Sequence, residues 1–219
     1  ADNATYQRIN SKLCHIYTNN ASIRLQNLSD NGLLNSRKVI EAIKGRLQDI
    51  EHYSSAEIHR CQEAITLKLN SYEWNFDIVP AFYTVHGFYL IPDGNGNWKP
   101  TNPPIDQDRI IAINQKHNGQ INQIVRTLKY WNRRVQMPTI PSYLFENIIL
   151  NYFALQASID TNLKLNLRNF WHHLQFGIYA PVLDPKGFDG DLNLLPLADK
   201  DKIATKALEA YQKACDAIK

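Results

Sequence analysis

The segment Trp74-Asn75-Phe76-Asp77-Ile78-Val79-Pro80-Ala81-Phe82 alternates apolar and polar side chains and then halts at a proline, the pattern of a half-buried β-strand. Asp77 is its anomaly, because it falls on the face opposite Trp74, Phe76 and Ile78. Carboxylates are depleted in strands and costly to bury unpaired, so the pattern predicts a compensating group. A divalent cation such as Mg2+ would serve, since hard cations take carboxylate oxygens; a neighbouring Lys or Arg would serve as well.

Outward from this strand, Ile65, Leu67 and Leu69 alternate with Thr66 and Lys68 and predict a second one. Phe88 to Ile91 predicts a third, and Pro92 to Asn97 is a turn cluster leading into Trp98. Upstream lies a polar loop, and before it a helix capped by Ser36 with Val39, Ile40, Ile43, Leu47 and Ile50 inward. Tyr6, Ile9, Leu13, Ile16 and Tyr17 recur at spacings of three and four and predict an opening helix, followed by a short strand over Ser22 to Gln26.

From about residue 105 the strand period gives way to helical spacing, which sets a domain boundary near Pro100 to Pro104. Helices are expected from Asp106 or Asp108, around Ile121 to Trp131, from Ser142, over Leu163 to Phe176, and from an Asp199 cap with Ile203, Ala207, Ala210, Ala214 and Ala217 inward. The expected architecture is α+β: a sheet domain over 1–104 and a helical domain over 105–219, with a ligand cleft between them.

With 219 residues, 44% hydrophobic and 21% charged, the chain is of globular composition rather than disordered or fibrous. No apolar run is long enough to span a membrane, and the polar start Ala1 to Thr5 is unlike a signal peptide, so a cytoplasmic location and no membrane partner are expected. Cys14, Cys61 and Cys215 are odd in number and widely spaced, which argues for buried thiols over a disulfide framework. Seven histidines show no His-x-x-x-His spacing, so no zinc site is expected. A net charge of +3 could favour phosphate-bearing ligands without demanding nucleic acid.

Lys129 is the second residue of chemical interest. It lies about 100° round the helix from Leu128 at the edge of the buried stripe, near Arg126, Arg133 and Arg134. It either snorkels to water or points a compact charge at a phosphate. In the second case Ser142 offers a hydroxyl near a helix N-terminus and Tyr143 a face for stacking a base; alternatively Ser142 is an N-cap and Tyr143 core.

In order and surroundings these residues resemble the cGAS/DncV-like nucleotidyltransferases (CD-NTases), a branch of the polymerase-β-like superfamily. Phe76 to Phe82 looks like the family strand bearing the third metal carboxylate, followed by Tyr89-Leu90-Ile91-Pro92 and Trp98 to Pro103. Leu128-Lys129-Tyr130-Trp131-Asn132 resembles the helix whose lysine meets the donor triphosphate. Pro141 to Glu146 is similar to the next helix start, whose serine also meets phosphate and whose tyrosine stacks on the base, and Val182-Leu183-Asp184-Pro185 matches the family ending. The resemblance implies a polymerase-β-like sheet and synthesis of a cyclic di- or trinucleotide messenger from nucleoside triphosphates with Mg2+. It further implies an activating partner protein and a role in bacterial antiphage signalling. Asp77 would be the catalytic carboxylate and metal ligand; Lys129, Ser142 and Tyr143 would bind nucleotide. A non-catalytic nucleotide or RNA binder on the same fold is the alternative.

The chain departs from the family at one place. No glycine is followed by serine, and no Asp-x-acid pair lies between Gln26 and the helix at Ser36, where the Gly-Ser loop and two further metal carboxylates belong. Either a segment after about Gln26 is omitted or the protein is a natural pseudoenzyme. Omission is favoured, because losing central strands would expose Trp74, Phe76 and Ile78.

Overall fold

The computed structural model describes residues 3–53 and 55–217, so Ala1 and Asp2 of the polar start lie outside the described residues. The chain divides into two compact units, Ala1–Asn102 and Pro103–Lys219.

The first unit is built on antiparallel sheets. It runs β1 (Thr5–Arg8), β2 (Cys14–Tyr17), α1 (Ile23–Gln26), β3 (Ser29–Asp30), β4 (Leu33–Leu34), α2 (Ser36–Gln48), β5 (Glu57–Cys61), β6 (Ala64–Lys68), β7 (Asn75–Ile78), β8 (Phe82–Tyr83), β9 (Tyr89–Pro92) and β10 (Trp98–Thr101). One sheet is ordered β3-β4-β2-β10-β9-β8, with β1 also on β2; the other is β5-β6-β7. In β9 and β10 Leu90, Pro92, Trp98 and Pro100 are buried and alternate with less buried neighbours, the period-two signature of one covered face. Trp98 is fully buried and its indole Nε1 donates to the Leu34 carbonyl at 2.8 Å, tying the β9–β10 hairpin to β4 within a core of Cys14, Ile16, Val39 and Leu90.

The structure corrects several expectations. Tyr6 to Tyr17 is not a helix but the β1–β2 hairpin, registered Thr5↔Tyr17 to Arg8↔Cys14 around a turn at Asn10 and Lys12. Ser22 to Gln26 is not a strand but the single helical turn of α1. Asn35, rather than Ser36, caps α2 by accepting from the Arg37 and Lys38 amides, while the Ser36 amide is taken by the Gly96 carbonyl. The polar loop before Ala64 contains β5. Of the three thiols only Cys14 is buried, and that burial pushes its pKa up; Cys61 is exposed and Cys215 intermediate.

The second unit is helical: α3 (Pro103–Lys116), α4 (Ile121–Arg134), α5 (Ser142–Leu155), α6 (Leu163–Gly177) and α7 (Leu197–Asp216). α5 is its centre, since Leu144, Phe145, Asn147, Ile148, Ile149, Leu150 and Phe153 are buried around its circumference. Phe145 packs against Phe170, and Trp131 of α4 lies 5.9 Å from Trp171 of α6. α3 begins earlier than expected, at Pro103, and α7 follows Pro196 with Asp199 in its first turn instead of at the cap. Ile203 and Ala207 are buried along α7, whereas Ala217 is exposed. Among the described residues no helix is long and apolar enough to cross a membrane.

Candidate functional site

In the second unit the chain between α4 and α5 is fixed by a buried asparagine. Asn132 Nδ2 donates to the Ile140 carbonyl at 2.8 Å and its Oδ1 accepts the Ile140 amide at 3.0 Å. That clamp sets where α5 begins. Pro141 precedes the helix without a side-chain cap, so Ser142 is the first helical residue rather than a capping one, and the early amides of α5 have no side-chain acceptor from Pro141.

Near this helix start Lys129 and Tyr143 are each engaged by other side chains. Lys129 is ion-paired with Glu146, one turn beyond Ser142, and neither side chain is more than 29% exposed. It therefore neither snorkels nor stands free. The Tyr143 hydroxyl lies 2.8 Å from Asp106 Oδ1 of α3 and 3.1 Å from Asp184 Oδ1, so its single proton serves one of two carboxylates at a time. Burial first, and then those two carboxylates, push the phenol pKa well up. Lys186 Nζ sits 4.1 Å from the centre of the Tyr143 ring and 3.2 Å from Asp106 Oδ2. The ring is thereby fixed at its tip and on one face.

Asp184 is held by backbone. It accepts amides from Lys186, Phe188 and Asp189 at 3.2, 3.1 and 3.0 Å. Burial works to raise its pKa, but those amides and the Lys186 charge outweigh it, and the carboxyl titrates below its ordinary range. Arg109 of α3 donates to Asn147 Oδ1 and Asn151 Oδ1, both at 2.6 Å; burial lowers its pKa while Tyr143, Asp106 and Glu146 counteract.

Asp77 lies in the first unit, in β7, the edge strand of the small sheet. The register Thr66↔Asp77 and Leu67↔Phe76 puts Asp77 on the face opposite Phe76, as its position in the pattern predicts. The strand is not oily, however: Asp77 is exposed, and Trp74 and Phe76 are 59% and 40% exposed. The compensating partner is a hydroxyl, Thr66 Oγ1 donating to Asp77 Oδ1 at 2.8 Å. Among the described residues no group of three His, Cys, Asp or Glu side chains is placed to share a metal ion, so the residues present do not by themselves fit a divalent-metal centre.

Sequence reasoning missed Glu146, Asp106, Lys186 and Arg109 as members of the network. The one available signal was spacing, since Glu146 follows Ser142 by four residues and shares its helix face. On α4, Tyr130 is 63% exposed with Arg134 5.3 Å from its ring centre.

No family profile matches the chain. Over 197 residues it is 45% identical to a probable cyclic nucleotide synthase of Bacillus cereus (strain VD146), covering 88% of this chain and 59% of that protein. Over 175 residues it is 31% identical to the cyclic AMP-AMP-AMP synthase of Acinetobacter sp. (strain ATCC 27244 / 9458), covering 76% of this chain and 49% of that one. The chain thus spans 59% and 49% of the length of these curated relatives. Among solved structures it is similar to E. coli MS115-1 CdnC with ATP, with a TM-score of 0.69 and 17% identity over 87% of this chain and 69% of that one. Vibrio cholerae DncV in its GTP-bound form gives a TM-score of 0.61 and 14% identity over 83% and 50%. At these identities the structural likeness is one of fold.

Proposed function

The chain belongs to the cGAS/DncV-like nucleotidyltransferases, and from that premise we propose that it acts within a synthase joining nucleoside triphosphates into a cyclic di- or trinucleotide messenger. Bacterial antiphage signalling, an activating partner and action in the cytoplasm belong to the same proposal. The observation that carries it is the meeting of Lys129 and Glu146 beside an uncapped helix start that also bears Ser142 and Tyr143. A phosphate placed there would meet the Lys129 ammonium, the Ser142 hydroxyl and the early amides of α5. A base would lie on Tyr143, whose ring is already held by Asp106, Asp184 and Lys186.

We assign the catalytic carboxylate and metal-ligand role to Asp77, with Mg2+ as the expected ion. Its companion acids would come from a segment after Gln26 that this sequence does not contain. The exposure of Trp74 and Phe76 on an edge strand supports that view, since it is what removal of neighbouring strands leaves behind. The rival, a non-catalytic nucleotide binder, is favoured by the incomplete acid set among the described residues.

Incubating the intact gene product with labelled ATP, GTP, UTP and CTP and Mg2+ tests the proposal. A phosphatase-resistant product is expected, and its absence with every divalent metal tried overturns the synthase reading. Nucleotide-dependent stabilisation without metal dependence, unchanged in Asp77→Asn, would establish the rival.

A further inference from the structure

The pairing of Lys129 with Glu146 bears on the phosphate subsite of the proposed function, and its meaning depends on that functional reading. Glu146 stands four residues after Ser142, on the same side of α5 and near its positive end, where an anion is favoured by the helix dipole. Its carboxylate therefore holds the ammonium that a phosphate would need, in the kind of place a phosphate would choose. Two further cations of this unit are engaged too: Lys186 is paired with Asp106 at 3.2 Å, and Arg109 spends donors on Asn147 and Asn151. An arriving polyanion has to take Lys129 from a resident carboxylate.

We propose that Glu146 is a placeholder anion. In the empty site it keeps Lys129 extended toward the start of α5; when a triphosphate binds, the ammonium passes to phosphate and the carboxylate is left as a like charge beside it. Glu146 thereby weakens nucleotide binding and hastens departure of the phosphates, because Lys129 has a partner to return to. It is a positioning and affinity-setting residue, not one that touches the reacting atoms.

Calorimetric titration of the chain with ATP at low salt tests this in the wild type, Glu146→Gln, Glu146→Ala and Lys129→Met. Removing the carboxylate should tighten ATP binding by about tenfold, and the gain should shrink as salt is added. In a Lys129→Met background the same change should alter affinity by less than about twofold, because the competition has lost its object. If the wild type binds ATP but both charge-removing variants bind it equally or more weakly while keeping the wild-type unfolding midpoint, Glu146 merely orients Lys129 and the inference fails alone. A wild type that binds none of ATP, GTP, UTP or CTP overturns the functional reading as well.

Discussion

The two units treat charge and apolar surface in opposite ways. In the helical unit, Asp184, Tyr143, Asp106 and Lys186 form one network, Lys129 is paired with Glu146, and the core closes around α5. In the sheet unit Asp77 has a single hydroxyl partner on an edge strand, and Trp74 and Phe76 face solvent. The groups proposed to hold a nucleotide thus lie within one unit, and the carboxylate proposed for the chemistry lies in the other.

That contrast can be broken from either side. The largest effect is expected at Phe145, fully buried at the centre of the helical unit, where Phe145→Ala should cost about 3–5 kcal/mol in urea unfolding. A smaller loss would mean that α5 is less central than its packing indicates. Next, Asp77→Asn in the intact protein should lower product formation by more than about a hundredfold while leaving metal-free ATP affinity within about twofold. Comparable loss of both would show that the two roles are not divided between the units.

Acidification probes Asp184. Its folded-state pKa is lowered, so its contribution to stability is complete above the unfolded value of about 3.9 and is lost as pH falls through the folded value. The stability gap between the wild type and Asp184→Asn, measured by urea midpoints, should therefore be widest at neutral pH and narrow on acidification below about pH 4. A gap that stays constant would mean that the amides of Lys186, Phe188 and Asp189 do not favour the charged carboxylate. The smallest effect is expected at Trp74, 59% exposed, where Trp74→Ala should change stability by less than about 0.5 kcal/mol.

The helical unit was largely legible in the sequence because its helices run 14 to 20 residues, long enough for apolar spacing to repeat several times. The sheet unit was not. β1 and β2 have four residues each, and the turn between them brings Tyr6, Ile9, Leu13 and Ile16 into spacings that imitate a helix; Ile9 is in fact 46% exposed in that turn. α1, at four residues, is too short to show any period. Around the start of α5, Lys129, Ser142 and Tyr143 could be singled out as candidates by their local setting. Asp106, Asp184 and Lys186 could not, because what joins them to Tyr143 and to one another is packing of segments 37 to 80 residues apart.

The distribution of tryptophan has a practical consequence. Each unit owns two: Trp98 sealed under β4 and Trp74 in water in the first, and the close Trp131–Trp171 pair in the second. Emission from Trp98 should be blue-shifted and deaf to iodide, whereas Trp74 should be readily quenched. Single-tryptophan variants would thus turn the polypeptide into its own pair of optical gauges, able to report which unit loosens first.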